Sequence, residues 1–174
     1  MDHFERLGLP RRFSVDASEL ERAYLARSRV VHPDYHLAGS GADLGASLEL
    51  SAGINEAYNT LRDPFTRAEY LLKLEGGPSA GEQKQMPAAF LAEMLEARER
   101  IEESRAGCPD DAAMLAAEFD KRYDGLLAEV GGLLNRLQAL RPGDAGRAGL
   151  FTQVRGQLNA AKYVRGLIRD LNAE

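Results

Sequence analysis

Cysteine occurs once in the chain, as Cys108. A single thiol excludes an internal disulfide and any zinc or iron-sulfur site built from several cysteines of this chain alone. Long apolar runs are absent too: none approaches the roughly 20 residues that a membrane-spanning helix needs. Met1 is followed within three residues by what reads as a first helix, so a soluble protein without a targeting segment is expected. An excess of positive charge is also missing. With a net charge of -5, a nucleic-acid surface would have to be a local patch working against the overall field, and no nucleic-acid partner is expected. The sequence has no glycine-rich phosphate loop, no internal repeat and no low-complexity segment long enough to matter.

Only seven of the 174 residues are proline and 44% are hydrophobic, which argues for folded structure throughout, as one ordinary domain or two small ones. Two-residue alternation is absent, whereas apolar residues recur three and four apart from end to end. The fold class read from this pattern is all-α.

A first short helix is expected over about residues 2–7, with Phe4 and Leu7 inward and Gly8 as a left-handed cap. The second opens with Asp16 and Glu19 as a capping box and with Val15 and Leu20 as a hydrophobic staple. Leu20, Tyr24 and Val31 then share one face, Arg22 and Arg29 the opposite one, and Arg27 falls nearer the buried edge. Residues 37–45, rich in Gly and Ser, read as a mobile loop. A third helix carries Leu50, Ile54, Ala57 and Leu61 in one stripe. Asp63 as a cap and Pro64 at the first helical position open a fourth.

The composition breaks at Glu75-Gly76-Gly77-Pro78-Ser79-Ala80-Gly81, placing a boundary there: residues 1–75 form one domain, 76–86 a linker and 87–174 a second domain. Three longer helical patterns follow, over about 87–105, 110–140 and 144–172, with connections short enough for an antiparallel three-helix bundle. The middle helix aligns Leu115, Phe119, Leu126, Val130, Leu133 and Leu137. Gly125, Gly131 and Gly132 weaken it, by roughly 1 kcal/mol each relative to alanine, so it depends on packing.

The candidate functional stretch is His32-Pro33-Asp34. Proline removes a backbone donor and drives its predecessor out of the helical region, so the second helix stops near His32 and leaves an imidazole and a carboxylate on a stiff loop. Alone, this reads as a helix stop and a polar loop. Its surroundings are Phe4, Leu7-Gly8-Leu9-Pro10, Ile54-Asn55-Glu56-Ala57-Tyr58 and Asp63-Pro64-Phe65, an order that resembles the J-domain of the Hsp40 co-chaperones. Thr60-Leu61-Arg62-Asp63-Pro64 followed by Arg67-Ala68-Glu69-Tyr70-Leu71-Leu72 sharpens the likeness to the HscB family, J-proteins of iron-sulfur cluster assembly, over almost the whole chain.

That resemblance implies an N-terminal J-domain, a C-terminal three-helix bundle and a bacterial, cytoplasmic co-chaperone with no cofactor of its own. By it, His32, Pro33 and Asp34 dock on an Hsp70-type (HscA-like) chaperone and stimulate its ATPase. Arg22, Arg27 and Arg29, otherwise an ordinary solvated face, meet an acidic surface of that chaperone. Tyr35 stands where a lysine is common, and Glu19 and Glu21 dilute the positive field, so steering is expected to be weaker than usual.

In the fifth helix Phe90, Met94, Ala97 and Ile101 form one stripe at about 100° per residue, enough to anchor it. Leu91 and Leu95 lie off that stripe, either as the edge of a wide core or as a contact surface. The resemblance favours contact, with an IscU-like iron-sulfur scaffold protein, through Leu91, Leu95, Glu96, Arg98, Glu99 and, on the last helix, Tyr163. Ala92 stands where some members have a larger methionine, so that contact is reduced.

A metal site at His32 and His36 is not expected, because Pro33 breaks the helical geometry and no third ligand is near. Catalysis by His32 with Asp34 fails similarly, since neighbours across a proline cannot easily hydrogen-bond ring to carboxylate. The rival readings are a J-protein with another client, a helical adaptor without ATPase stimulation and, more distantly, an enzyme such as a hydrolase.

Overall fold

The computed structural model describes residues 1–31, 41–106 and 109–172. His32, Pro33, Asp34 and Cys108 lie outside the described residues. Within them every element is a helix: α1 (His3–Leu7), α2 (Ala17–Val31), α3 (Gly41–Arg62), α4 (Pro64–Leu74), α5 (Ala88–Ala106), α6 (Pro109–Ala139) and α7 (Gly146–Asn172). The chain divides into two compact units, Met1–Leu71 and Leu72–Glu174.

In the first unit, local chemistry sets the helix ends. Asp2 and Glu5 close a reciprocal capping box on α1, and Gly8 ends it at φ 72°, in the left-handed region that favours glycine. At α2, Asp16 accepts the Glu19 N–H at 2.8 Å, but the Glu19 carboxylate turns to Arg12 at 3.1 Å instead of completing the expected box. The Ser18 hydroxyl and then the Glu19 N–H hold the Asp16 carboxyl below its ordinary range. Asp63 caps α4 by accepting the Thr66 N–H at 2.8 Å.

The pairing of α2 with α3 runs in opposite order. Tyr24 stacks on Tyr58 with centroids 4.3 Å apart and donates to Asn55 at 2.9 Å. Seven residues further along α2, the Val31 carbonyl accepts from Ser47 at 2.5 Å. The two helices therefore form an antiparallel hairpin. Phe4, Leu7, Leu20, Ile54, Ala57, Leu61, Phe65, Ala68 and Leu71 are buried in this unit. Arg67, in the last of the motifs above, is buried too and donates to the Leu61 carbonyl at 2.6 Å. It satisfies one of the carbonyls that the end of α3 leaves without a helical partner. Burial lowers its pKa from the ordinary arginine value, partly offset by Asp63.

Two expectations for α3 need correction. Gly41 to Gly45 belong to the helix rather than to a loop, because each residue added to an existing helix gains a hydrogen bond, which a few weak formers do not outweigh. Residues 37–40 lie outside the described residues. Leu50, expected in the core, is 50% exposed, while Ser47 is buried. The Arg6 guanidinium of α1 occupies the space beside Gly53, one turn further along α3. Ser47 is buried at no polar cost because its hydroxyl is spent on the end of α2.

In the second unit, two sets of pairings again run in opposite order. Glu93 pairs with Arg122 at 2.7 Å and Arg100 with Glu118 at 2.6 Å, which sets α5 antiparallel to α6. Arg147 donates to the Leu137 carbonyl at 3.1 Å and Gln157 to Glu129 at 2.8 Å, which does the same for α6 and α7. Because α6 packs against both neighbours, its buried stripe is wide: Leu126, Leu127, Val130, Leu134 and Leu137 are all buried. Leu133, expected in that line, is only half-buried at its edge.

The segment 76–86, read as a linker, is fastened to α7. Gly77 packs closely on Leu72 and Phe151. Arg155, almost fully buried, donates to the Pro78 carbonyl at 2.9 Å, and Asn159 to the Gln83 and Gln85 carbonyls, each at 2.9 Å. Just before it, buried Arg147 pairs with Glu75 at 2.8 Å. No helix among the described residues is long and apolar enough to cross a membrane.

Candidate functional site

On α2, Arg22, Arg27 and Arg29 are all exposed. Arg22 and Arg29 are seven residues apart and share a strip of the helix. Arg22 also donates to the Ser18 carbonyl, one turn back, at 3.2 Å. Arg27 lies apart from them: its guanidinium sits against Gly8, where an added Cβ would come within 3.0 Å of it. The last residue of α2, Val31, is held through its carbonyl by Ser47 of α3. His32-Pro33-Asp34 follows directly in sequence, outside the described residues.

The second candidate is on α5 and α7. Phe90, Met94, Ala97 and Ile101 are 3, 4, 4 and 8% exposed, and so form the buried side of α5. Leu91 and Leu95 are 47 and 68% exposed, on the outward side. Together with Met86, Phe90, Met94, Arg98 and Tyr163 they line a depression of about 260 Å³. Tyr163 meets the edge of Phe90 with centroids 6.1 Å apart, and the Arg98 guanidinium lies 5.4 Å from the Tyr163 ring centre. The ring is thus fixed between an aromatic and a cation, in contacts that hold it at the rim of the depression.

Leu91, Leu95, Arg98 and Tyr163 therefore come together in space, although 72 residues of chain separate Leu91 from Tyr163. Glu96 does not join them: it lines a neighbouring groove between α5 and α6, with Glu93, Arg100, Glu118 and Arg122. Glu99 is exposed, one turn beyond Leu95. Met86 was not anticipated. It lies in a segment without helical periodicity and reaches the site only because Asn159 pins the flanking backbone. No group of three or more His, Cys, Asp or Glu residues among the described residues is arranged to hold a metal ion.

Residues 86–170 match the family model described as the HSCB C-terminal oligomerisation domain. The co-chaperone protein HscB homolog of Chromobacterium violaceum is 45% identical over 106 residues, covering 60% of this chain and 61% of that protein, under two thirds of its length. The homolog of Ralstonia nicotianae is 41% identical over 139 residues, 76% of this chain and 77% of that one. Among solved structures, chaperone HscB from Vibrio cholerae superposes with a TM-score of 0.78 at 28% identity, over 99% of this chain and 96% of that one. Human co-chaperone protein HscB shares the fold, with a TM-score of 0.78 at 24% identity over 99% and 81% of the two chains. The helical hairpin of the first unit and the three-helix bundle of the second are the J-like and C-terminal helical domains of those structures. With both units accounted for and the identity to the Ralstonia protein extending over three quarters of each chain, this chain belongs to the HscB family of co-chaperones.

Proposed function

We propose that this co-chaperone binds an iron-sulfur cluster scaffold protein through the α5–α7 depression, delivers it to an Hsp70-type chaperone and stimulates that chaperone's ATPase. The observation that carries this reading is the exposure of Leu91 and Leu95 beside a fixed Tyr163. Large apolar side chains left in water around a preformed recess, with an arginine at the rim, are the composition of an interface centre.

His32, Pro33 and Asp34 supply the contact with the chaperone. Asp34 offers a carboxylate for a charge-assisted pair with a partner cation, and Pro33, whose ring fixes one backbone angle, limits the entropy lost on binding. The Arg22 and Arg29 strip steers the encounter with an acidic chaperone surface, and Arg27 contributes from the side of α1. Joining two modest sites on one chain raises the effective concentration of the scaffold at the chaperone. Glu96 and Glu99 bear on the scaffold as charges around the apolar centre rather than as part of it. ATP is hydrolysed on the chaperone; this chain supplies no catalytic group and takes no cofactor. The site of action is the bacterial cytoplasm.

A second reading follows from the description of the matching domain as an oligomerisation domain: the same apolar surface of α5 meets another copy. Sedimentation of the chain alone separates the two, since scaffold binding requires no concentration-dependent change in mass.

The test of the main reading is ATP turnover by the chaperone alone, with this chain, and with chain and scaffold together. Asp34→Asn should abolish stimulation while leaving helicity and scaffold binding intact. Undiminished stimulation by the folded variant would remove the central claim.

A further inference from the structure

Beyond the depression at Leu91 and Leu95 the surface does not close. Met86, Arg98 and Tyr163 also form one wall of a second hollow of about 440 Å³, which continues towards the C-terminal end of α7 and takes in Lys84, Lys162 and Gly166. Three separate elements deliver its cations: Arg98 comes from α5, Lys162 from α7 and Lys84 from the segment before α5.

Lys84 is held in place from both sides. The carbonyls of its two neighbours, Gln83 and Gln85, accept from the same Asn159 amide at 2.9 Å each. Lys162 follows Asn159 by one turn on the same face of α7. Both lysines are exposed. The one acid in the hollow, Asp170, is paired with the adjacent Arg169 at 3.1 Å. In a chain of net charge -5, a hollow with three cations and one paired anion presents a local field of the opposite sign. Gly166 lies in the wall, and an added Cβ there would meet nothing within 4 Å, so the space above α7 is open.

We infer that this hollow is a second, electrostatic half of the scaffold site: it receives an acidic side chain of the scaffold protein while an apolar residue of the same partner covers Leu91 and Leu95. The inference rests on the scaffold-binding reading above. The chemistry is complementary in each half. Leu91 and Leu95 offer water-exposed hydrocarbon, and Lys84, Arg98 and Lys162, which line one hollow, offer donors to a carboxylate. Tyr163 and Arg98 stand on the ridge shared by both. Fixing the segment 83–85 to α7 sets the backbone at Lys84 before the partner arrives, which lowers the entropy lost on binding.

Three variants of the full chain, titrated with the scaffold protein at two salt concentrations, decide the matter. Gly166→Leu fills the hollow without changing charge, and leucine favours a helix more than glycine does. It should weaken scaffold binding by about tenfold, the loss expected when a central contact is blocked, with helicity unchanged. Lys84→Gln with Lys162→Gln should weaken binding at low salt and flatten its salt dependence. Leu91→Ala with Leu95→Ala serves as the reference. Should the reference weaken binding while Gly166→Leu binds as the wild type does, the hollow is unoccupied and the inference is overturned, whatever the lysine pair does. Undiminished binding by the leucine reference would instead overturn the scaffold-binding reading itself.

Discussion

Replacing Leu91 and Leu95 together by alanine separates a contact surface from a wide core, and the structure sets the scale of each outcome. Leu91 is 47% exposed and Leu95 68%, so the fold covers about half of the first and about a third of the second. Complete burial of a leucine side chain stabilises by roughly 1.5 to 3 kcal/mol. The covered fractions then correspond to about 1 kcal/mol for Leu91 and less for Leu95, and alanine keeps the Cβ of each. The double variant should lose about 1 kcal/mol in all, which for a unit of about 100 residues lowers the thermal midpoint by about 4 °C. Met94, 4% exposed and between the two leucines in sequence, provides the contrast: Met94→Ala should cost about 2 to 5 kcal/mol as a core truncation. In scaffold binding the order reverses. Apolar anchors at the centre of an interface are each worth about 2 kcal/mol, close to thirtyfold in affinity. Calorimetric melting and titration with the scaffold measure both quantities on the same samples. Chaperone stimulation in the absence of scaffold should stay intact. A double variant that melts as low as Met94→Ala would return both leucines to the core and refute the reasoning.

Other consequences are equally open to measurement. Arg22→Glu with Arg29→Glu should slow association with the chaperone, and the effect should shrink as salt rises, since the screening length is already about 8 Å at physiological ionic strength; a loss independent of salt would indicate misfolding instead. Residues 1–75 should stimulate the chaperone by themselves. A fragment of residues 72–174 should fold and bind scaffold, whereas residues 87–174, which lack the acceptors at Glu75, Pro78, Gln83 and Gln85, should melt lower; equal melting would mean that the fastened segment adds nothing. Arg147→Met should cost about 3 to 5 kcal/mol in denaturant melts, because it leaves Glu75 and the end of α6 without their donor. A cost under about 1 kcal/mol, the usual limit for surface changes, would show that this pairing is incidental.

The all-α class, the helix order and most helix ends were legible in the sequence because they depend on chemistry within a few residues. Gly8 past α1, Asp63 with Pro64 at α4 and the Phe90, Met94, Ala97, Ile101 spacing each act locally, and the fold follows them. Where the sequence misled, a partner distant in the chain had decided the matter. Leu50 and Leu133 carry the right periodicity, yet one is half exposed and the other lies at the edge of a helix packed on two sides. Ser47 and the arginines at 67, 147 and 155 look like surface residues until the carbonyls they satisfy are located. The segment 76–86 has the composition of a linker, because composition reports backbone freedom and not the donors that Arg155 and Asn159 supply from 74 or more residues away. The candidate site divides in the same way. Local spacing on α5 marked Leu91 and Leu95 as lying off the buried stripe. Only tertiary packing brought Tyr163 and Met86 beside them, set Lys84 in the adjoining hollow and turned Glu96 towards another groove, since helical periodicity specifies which face a residue shares and not what stands opposite that face.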